Sequence, residues 1–275
     1  MAQLSHALVL ASLIASAGAG HAQPLPTGSA EPGAPVPQAE ERLVDLPVAG
    51  GEVQRLLIVA PPHPRAAIVM LPGGSGNVGI KRDGDIRHDD NFVVRSRELW
   101  VARGYAVLIP DTIHRTNLRG LRSSPQYARL VDDLVTYAHS SIASPVFLLG
   151  TSQGSIAAMN GAAHARAGTL AGVVLTESVS VMGGSHETVF EADPKSVRVP
   201  ALVVANTEDR CPVAPPAMAP RIAAAMTGSP DVKVETVSGG STKSAEPCGS
   251  LTPHGYYGIE AGVVSLISQW MDARL

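Results

Sequence analysis

The sequence predicts an α/β fold, in which a mostly parallel central sheet carries helices on both faces. Short apolar runs alternate along the chain with longer segments whose apolar residues recur at helical spacing. Runs such as 66–71 are apolar throughout, as strands are when helices cover both faces of a parallel sheet. With 275 residues, of which 45% are hydrophobic, the chain is long enough for one sizeable core.

The expected strands and helices follow one another in a regular order. Strands are predicted at 42–48, 53–60, 66–71, 105–109, 146–149, 170–175, 201–205 and 232–237. Helices are predicted at 91–103, 124–139, 155–166, 215–226 and 257–273. Gly104 ends the first of these helices, a position where glycine is common. The polar segment 177–198 is short, so we expect only a small lid insertion.

Residues 1–41 are expected to lie outside the folded domain, which would span 42–275. Residues 1–22 resemble an export signal, because 8–17 is an apolar segment too short to span a bilayer and Gly20-His-Ala22 offers a cleavage site. No Lys or Arg precedes this segment, which departs from the usual pattern. Residues 23–41 are rich in Pro, Gly, Ala and Glu and predict a disordered linker. The mature protein would then be periplasmic or secreted, with no membrane span.

Composition excludes several classes of partner and cofactor. The net charge of −3 provides no basic surface for nucleic acid. There is no Cys-x-x-Cys pair and no His/Cys cluster with the spacing of metal ligands, so we expect no metal. The glycine-rich stretch 73–76 lacks the residues that complete a phosphate-binding or dinucleotide-binding loop, so we expect no nucleotide cofactor.

Ser152 is the candidate nucleophile. It lies at the centre of Gly150-Thr-Ser-Gln-Gly154, between a strand-like apolar run and a helix-like segment. Glycines at both ends let strand and helix close around a sharp turn, which leaves the serine strained but exposed. A Gly-Ser turn that merely caps a helix is the alternative interpretation. A serine hydroxyl is a poor nucleophile at neutral pH, so it needs a base and a third group that orients the base.

The chain resembles the α/β-hydrolase superfamily of serine esterases, lipases and dienelactone-hydrolase-like enzymes over about 230 residues. The resemblance rests on Pro72-Gly-Gly-Ser-Gly76, Gly150-Thr-Ser-Gln-Gly154, Asp209 with Pro212, and His254. It implies a hydrolase that needs no cofactor and forms an acyl-enzyme on Ser152. It also implies the chain order serine, acid, histidine. His254, between the last predicted strand and the closing helix, is then the candidate base, with a loop histidine that has no partner as the alternative interpretation. His186, the other histidine after Ser152, lies in the polar segment and is more typical of a surface or substrate-side residue.

The acid is expected in the loop after the strand at 201–205. Asp209 is favoured because it stands shortly before Pro212-Val213, as the resemblance implies. Glu208 beside it is the rival. Glu177, just beyond the preceding strand, is a third candidate, since some branches of the fold place the acid there.

The resemblance also implies donors for a developing oxyanion. The glycine-rich loop predicts backbone N–H donors around Gly74 and Ser75, and the residue after the nucleophile, Gln153, would supply the second donor. The loop lacks the leading histidine of the His-Gly-Gly type and is similar to shorter loops. The insert 78–90 is unusually charged; it is either a solvated surface loop or a segment that overhangs the site and selects a polar substrate.

If the fold is as predicted, the loops that carry the two cysteines both lie at the carboxyl edge of the sheet. An exported protein with an even number of cysteines favours one disulfide, so we expect Cys211 to pair with Cys248. Two free thiols in a cytosolic enzyme are the alternative.

Two classes of function follow. The first is a monomeric hydrolase acting on a carboxylic ester of a small substrate, with a thioester or an amide as the less favoured bond. The second is a non-catalytic carrier or binding protein that keeps the same fold, because a fold does not determine function.

Overall fold

The computed structural model describes residues 39–142 and 145–275. The predicted export signal and all but the end of the predicted linker lie outside these residues. The first strand begins at Glu40, two positions before the expected start of the domain. Eight strands form one sheet: β1 (Glu40–Pro47), β2 (Val53–Ala60), β3 (Ala66–Leu71), β4 (Tyr105–Pro110), β5 (Val146–Thr151), β6 (Gly172–Thr176), β7 (Ala201–Asn206) and β8 (Val232–Val237).

The sheet has the order β1-β2-β4-β3-β5-β6-β7-β8. β2 pairs antiparallel with both of its neighbours, and all other pairs are parallel. The inner strands β3 to β7 are buried along their whole length, whereas the edge strands β1 and β8 are partly exposed. Fully apolar strands therefore mark the centre of the sheet, as predicted.

Six helices cover the two faces: α1 (Phe92–Arg95), α2 (Arg97–Val101), α3 (Pro125–Ile142), α4 (Gln153–Ala163), α5 (Ala219–Ala225) and α6 (Glu260–Asp272). Side chains of α3, α4 and α5 share one core with one face of the sheet. Those of α1, α2 and α6 form a second core on the opposite face. The mostly parallel sheet with helices on both faces is thus confirmed. Within the described residues, no helix is both long and apolar enough to cross a bilayer.

Each of the five predicted helices differs from its expected bounds at one end or both. The helix expected at 91–103 is broken at Ser96, whose hydroxyl accepts the indole N–H of Trp100 at 3.1 Å. The helix expected from 215 starts at Ala219. The chain first forms a short 3₁₀ turn that begins at the prolines at 215 and 216, because proline has no N–H to donate. α4 begins at Gln153, two residues earlier than expected, directly after Ser152.

The segment between β6 and β7 contains only two single-turn 3₁₀ helices, Val189–Glu191 and Pro194–Ser196. It is therefore a small insertion, and no large lid is formed by these residues.

Candidate active site

The candidate residues meet at one edge of the sheet. Ser152 follows β5, Glu177 follows β6 and Asp209 follows β7. Because these strands are parallel neighbours, their carboxyl ends open on the same edge, where α/β folds place ligand sites. His254 reaches the same edge from the loop between β8 and α6.

The turn at Ser152 is strained and tightly closed. Ser152 has φ 54° and ψ −123°, a conformation that residues with side chains rarely adopt. A Cβ on Gly150 would lie 2.1 Å from the carbonyl oxygen of Gly154, and one on Gly154 would lie 2.0 Å from the carbonyl oxygen of Leu71. Any side chain at either glycine would therefore clash with backbone. The N–H of Ser152 donates to the Thr176 carbonyl at 2.9 Å, which ties the turn to β6.

Ser152, His254 and Asp209 form a continuous hydrogen-bonded chain. The Ser152 Oγ lies 2.9 Å from His254 Nε2, and His254 Nδ1 lies 2.7 Å from Asp209 Oδ2. Asp209 Oδ1 accepts the N–H of Cys211 at 2.7 Å. A carboxylate beside Nδ1 favours the tautomer with the proton on Nδ1, so Nε2 is free to accept from the serine hydroxyl. The side chains of His254 and Asp209 are 3% and 0% exposed, which keeps water from competing for these bonds.

The rival candidates lie elsewhere or make different contacts. The Glu208 side chain is 47% exposed and pairs with Arg210 at 3.5 Å. His186 is exposed in the small insertion, with a left-handed φ of 55°. Glu177 is buried beside Asp209 and does not contact the ring of His254 through any hydrogen bond of the described residues. Among the proposed acids, Asp209 alone hydrogen-bonds to His254.

The glycine-rich loop after β3 packs against the serine through Gly73. A Cβ on Gly73 would lie 3.0 Å from the Ser152 Cβ and 3.0 Å from the Thr151 carbonyl oxygen, so a side chain there would be tightly crowded. Gly74 follows with φ +59°. A Cβ on Gly74 would lie 3.7 Å from the Arg119 Nη2, and no other atom of the described residues outside its chain neighbours would lie within 4 Å. The Ser75 carbonyl accepts the Leu118 N–H at 2.9 Å. Gln153 places its backbone N–H in the first turn of α4.

Asn91 is a neighbour of the site that the sequence did not reveal. A Cβ on Gly73 would lie 3.5 Å from the Asn91 Nδ2. The Asn91 NH₂ group has no hydrogen-bond partner among the described residues. The Asn91 Oδ1 accepts the Val93 N–H at 3.3 Å and caps α1. An asparagine before a helical pattern indicates a helix cap. The sequence does not indicate that the side-chain nitrogen of this asparagine lies near the glycine-rich loop.

The charged insert 78–90 is anchored at its start and solvated further on. Asp111, after β4, accepts the N–H groups of Val78, Gly79 and Ile80 at 2.7 to 3.2 Å. The charged side chains of residues 81–90 are exposed.

Three links fix the loop that carries His254. The Asn206 Nδ2 donates to the carbonyls of Gly239 and Pro253 at 2.9 and 3.0 Å. Arg95 donates to the Gly255 carbonyl and pairs with Glu260 at 2.7 Å. The third link is a disulfide between Cys211 and Cys248, the pairing that the sequence predicts. The loop after β7, which carries Asp209, and the loop after β8, which carries His254, are thus joined by the disulfide and by hydrogen bonds.

Two buried groups beside Asp209 have perturbed acidity. Burial raises the pKa of Glu177 well above its ordinary value, and the adjacent Asp209 raises it further. Burial also raises the pKa of the Tyr256 hydroxyl, with repulsion from Glu177 as the second cause. Burial therefore favours the neutral form of both groups.

Glu177, Asp209 and His254 bring ligand-type atoms within 4.8 Å of one another, the one such group of three in residues 39–142 and 145–275. Both ring nitrogens of His254 are already used, one by Ser152 and one by Asp209. The donor set of this cluster therefore suits a hydrogen-bond network rather than a metal ion.

Comparison with known proteins rests on structure. No protein-family model matches the chain, and no curated protein matches its sequence. A dienelactone hydrolase from Anabaena variabilis superposes with a TM-score of 0.61 at 20% identity, over 86% of this chain and 99% of that one. The esterase PF2001 from Pyrococcus furiosus gives a TM-score of 0.64 at 10% identity, over 86% and 92%. This chain has the α/β-hydrolase fold.

A third α/β-hydrolase, Est1E from Butyrivibrio proteoclasticus with bound ferulic acid, superposes with a TM-score of 0.59 at 13% identity, over 85% of this chain and 98% of that one. At these identities the likeness establishes the α/β-hydrolase fold. The chemistry has to be argued from the residues at the sheet edge.

Proposed function

We propose that this protein is a serine hydrolase that cleaves a carboxylic ester of a small substrate through an acyl-enzyme on Ser152. The observation that carries the proposal is the hydrogen-bonded chain from the Ser152 Oγ through the His254 ring to the buried Asp209 carboxylate. These groups supply a nucleophile, a base within reach of its proton, and a group that orients the base.

In the acylation step, His254 Nε2 takes the hydroxyl proton as the Ser152 Oγ attacks the ester carbonyl carbon. The imidazolium that forms is stabilised by Asp209, which keeps its negative charge. His254 then donates the proton to the leaving alcohol as the carbon–oxygen bond breaks. In the second half, water gives a proton to His254 as it attacks the acyl carbon. The bond from the acyl carbon to the Ser152 Oγ then breaks, the acid leaves, and His254 returns the proton to the Ser152 Oγ.

The negative oxygen of the tetrahedral intermediate needs donors next to Ser152. The backbone N–H of Gln153 lies at the start of α4, where helix N–H groups have no partner within the helix. The second donor comes from the glycine-rich loop, in which the N–H of Gly74 directly follows the glycine that contacts Ser152. Removing one such donor typically costs about 10²- to 10³-fold in kcat.

The small insertion and the partly exposed Ser152 favour a small, accessible ester. The structural neighbours include a dienelactone hydrolase and two esterases, which agrees with this class of bond. The disulfide suits the exported location that residues 1–22 predict. Protein that stays in the cytoplasm with residues 1–22 intact would contradict that location.

Intact-mass analysis after incubation with a fluorophosphonate tests the proposal. We expect one adduct on the wild-type protein, none on Ser152→Ala and slower labelling of His254→Ala, because the reagent reports an activated serine. A panel of ester, thioester and amide substrates then identifies the bond. Folded wild-type protein that stays unlabelled would favour the non-catalytic binding protein.

A further inference from the structure

Glu177 is a buried acidic residue that the reaction steps above do not use. It follows β6 with a left-handed φ of 43°, and 1% of its surface is exposed. Its Oε1 accepts the N–H of Asn206 at 2.7 Å, and its own N–H donates to the Val204 carbonyl at 3.2 Å. These bonds hold a strained residue at the end of the strand next to the serine turn. Strain of this kind persists only where the surroundings enforce it.

The second oxygen of Glu177 poses a hydrogen-bonding problem. The Oε2 is buried and has no donor among the described residues. A carboxylate oxygen of Asp209 lies within 4.8 Å of the Glu177 carboxyl group. Two ionised carboxylates only accept hydrogen bonds, so neither could satisfy the other, and two like charges would be buried together. A single proton between them removes both costs.

The surrounding donors decide which carboxyl carries that proton. Asp209 receives the Cys211 N–H and the proton on His254 Nδ1. Glu177 receives the Asn206 N–H, and the hydroxyl of Tyr256 beside it donates to the Val204 carbonyl. The better-solvated charge is therefore on Asp209, and the proton belongs on Glu177.

The other ionisable groups that face Glu177 leave this assignment unchanged. They are His254, within the same cluster, and Tyr256, whose hydroxyl donates to the Val204 carbonyl at 3.2 Å. Within residues 39–142 and 145–275, no Lys or Arg forms an ion pair or a hydrogen bond with Glu177. Burial raises the pKa of Glu177, and the hydrogen bond with Asp209 raises it further, whereas Tyr256 and the Asn206 N–H lower it in part.

We propose that Glu177 is a positioning residue: in its neutral form it donates a hydrogen bond from Oε2 to the Asp209 carboxylate, as the fourth member of the Ser152–His254–Asp209 chain. This assignment rests on the proposed function. The donated bond restrains the Asp209 carboxylate so that Oδ2 faces His254 Nδ1. It also leaves one negative charge, and not two, beside the imidazolium that forms during acylation.

The amide of glutamine reproduces both contacts of a neutral Glu177. In Glu177→Gln the amide oxygen accepts the Asn206 N–H and the NH₂ group donates to Asp209. Glu177→Leu keeps a side chain of similar size but donates nothing. Glu208→Gln, at an exposed carboxyl of the neighbouring loop, is the matched control for loss of a glutamate.

The first measurement is the pH profile of kcat/KM on an ester that the wild type hydrolyses. Glu177→Gln and Glu208→Gln should stay within about threefold of wild type, with the acid limb of the profile unmoved, since no donor is lost. Folded Glu177→Leu should lose about 10- to 100-fold, as is typical for residues that orient a catalytic ligand. The acid limb of the Glu177→Leu pH profile should move to higher pH. Without the hydrogen bond from Glu177, the Asp209 carboxylate stabilises the His254 imidazolium more strongly.

Two outcomes would overturn the assignment. If Glu177 is ionised, Glu177→Gln removes a negative charge, the acid limb moves to lower pH, and the loss in kcat/KM matches that of Glu177→Leu. If Glu177 is unconnected to the reaction, folded Glu177→Leu keeps the wild-type rate and profile. Far-UV circular dichroism and unfolding midpoints identify variants that fail to fold. If Glu177→Leu is one of them, the pH profile of kcat/KM for Glu177→Gln decides whether Glu177 is neutral or ionised.

An infrared difference spectrum at pH 7 tests the neutral carboxyl without any substrate. We expect the carbonyl band of a protonated carboxyl in the wild type, lost in Glu177→Gln and retained in Glu208→Gln. Absence of that band from the wild type would contradict a neutral Glu177. If the wild type hydrolyses no ester but shows the band, the proposed function fails while the state of Glu177 stands.

Discussion

Asp209 and Glu208 are adjacent in the chain, yet their surroundings assign them different roles. The Asp209 side chain is fully buried and accepts hydrogen bonds from Cys211 and His254. The Glu208 side chain is nearly half exposed and pairs with Arg210 across 3.5 Å. A surface pair of this kind contributes about 0 to 1 kcal/mol to stability, whereas a buried carboxylate next to the base determines which ring nitrogen carries the proton.

Substitution of each acid by its amide tests this difference. Asp209→Asn should lower kcat by about 10⁴-fold, because an amide no longer favours the tautomer whose Nε2 accepts from Ser152. Glu208→Gln should leave kcat within about twofold, since it removes only an exposed pair. Initial rates on one ester with both purified variants provide the measurement. Equal losses in the two variants, or a larger loss in Glu208→Gln, would contradict the role given to Asp209.

At the residue scale, part of the candidate site could be predicted from the sequence. The Gly-x-Ser-x-Gly pattern and the order of the candidates identified Ser152, Asp209 and His254, which the structure brings together. Glu177 was a candidate acid from its position after a strand, but its contact with Asp209 depends on the pairing of β6 with β7. Such a pairing between distant segments leaves no mark in the local sequence.

The elements position the site by bringing strand ends together and by fixing the loops that follow them. Gly150 and Gly154 let α4 start against the end of β3, so the first turn of α4 lies beside the glycine-rich loop. Asn206 and the disulfide join the loop after β7 to the loop after β8. The rigid sheet therefore sets the position of Ser152, and the linked loops set that of His254 relative to Asp209.

Removing the disulfide tests the contribution of the linked loops. Cys211→Ser/Cys248→Ser opens a loop of 37 residues, and the chain-entropy estimate for such a loop is about 3 to 4 kcal/mol of unfolding free energy. We expect a lower urea midpoint and a reduced kcat at temperatures where the variant is still folded, because acid and base are then held by hydrogen bonds alone. Wild-type protein treated with reductant should behave like the variant. An unchanged midpoint and an unchanged kcat would show that the link is dispensable.

Element bounds were predictable where hydrophobic patterns were strong and less so where single residues intervene. The bounds of β2, β3 and β8 match their predicted ranges. The break at Ser96 leaves no mark in the hydrophobic pattern, and the late start of α5 follows the proline pair at 215 and 216. Periodicity describes faces of helices and does not report such local competition.

At the scale of the whole molecule, fold class followed from the alternation of strands and helices, because crossover connections and a buried parallel sheet leave few arrangements. The exact order of the strands, with β4 between β2 and β3, comes from the structure. Arg119 and Asn91 lie near the glycine-rich loop beside Ser152. Composition could not indicate that these distant residues meet, and the monomeric state remains a prediction.

The measurement that tests the central claim most directly is acid-quench mass spectrometry of the protein during turnover of an activated ester, with peptide mapping of the adduct. We expect a mass increase of one acyl group, located on the peptide that contains Ser152 and absent from Ser152→Ala, because deacylation limits turnover of such esters and the acyl-enzyme accumulates. An acyl group on another residue, or Ser152→Ala protein that retains wild-type turnover, would contradict the account.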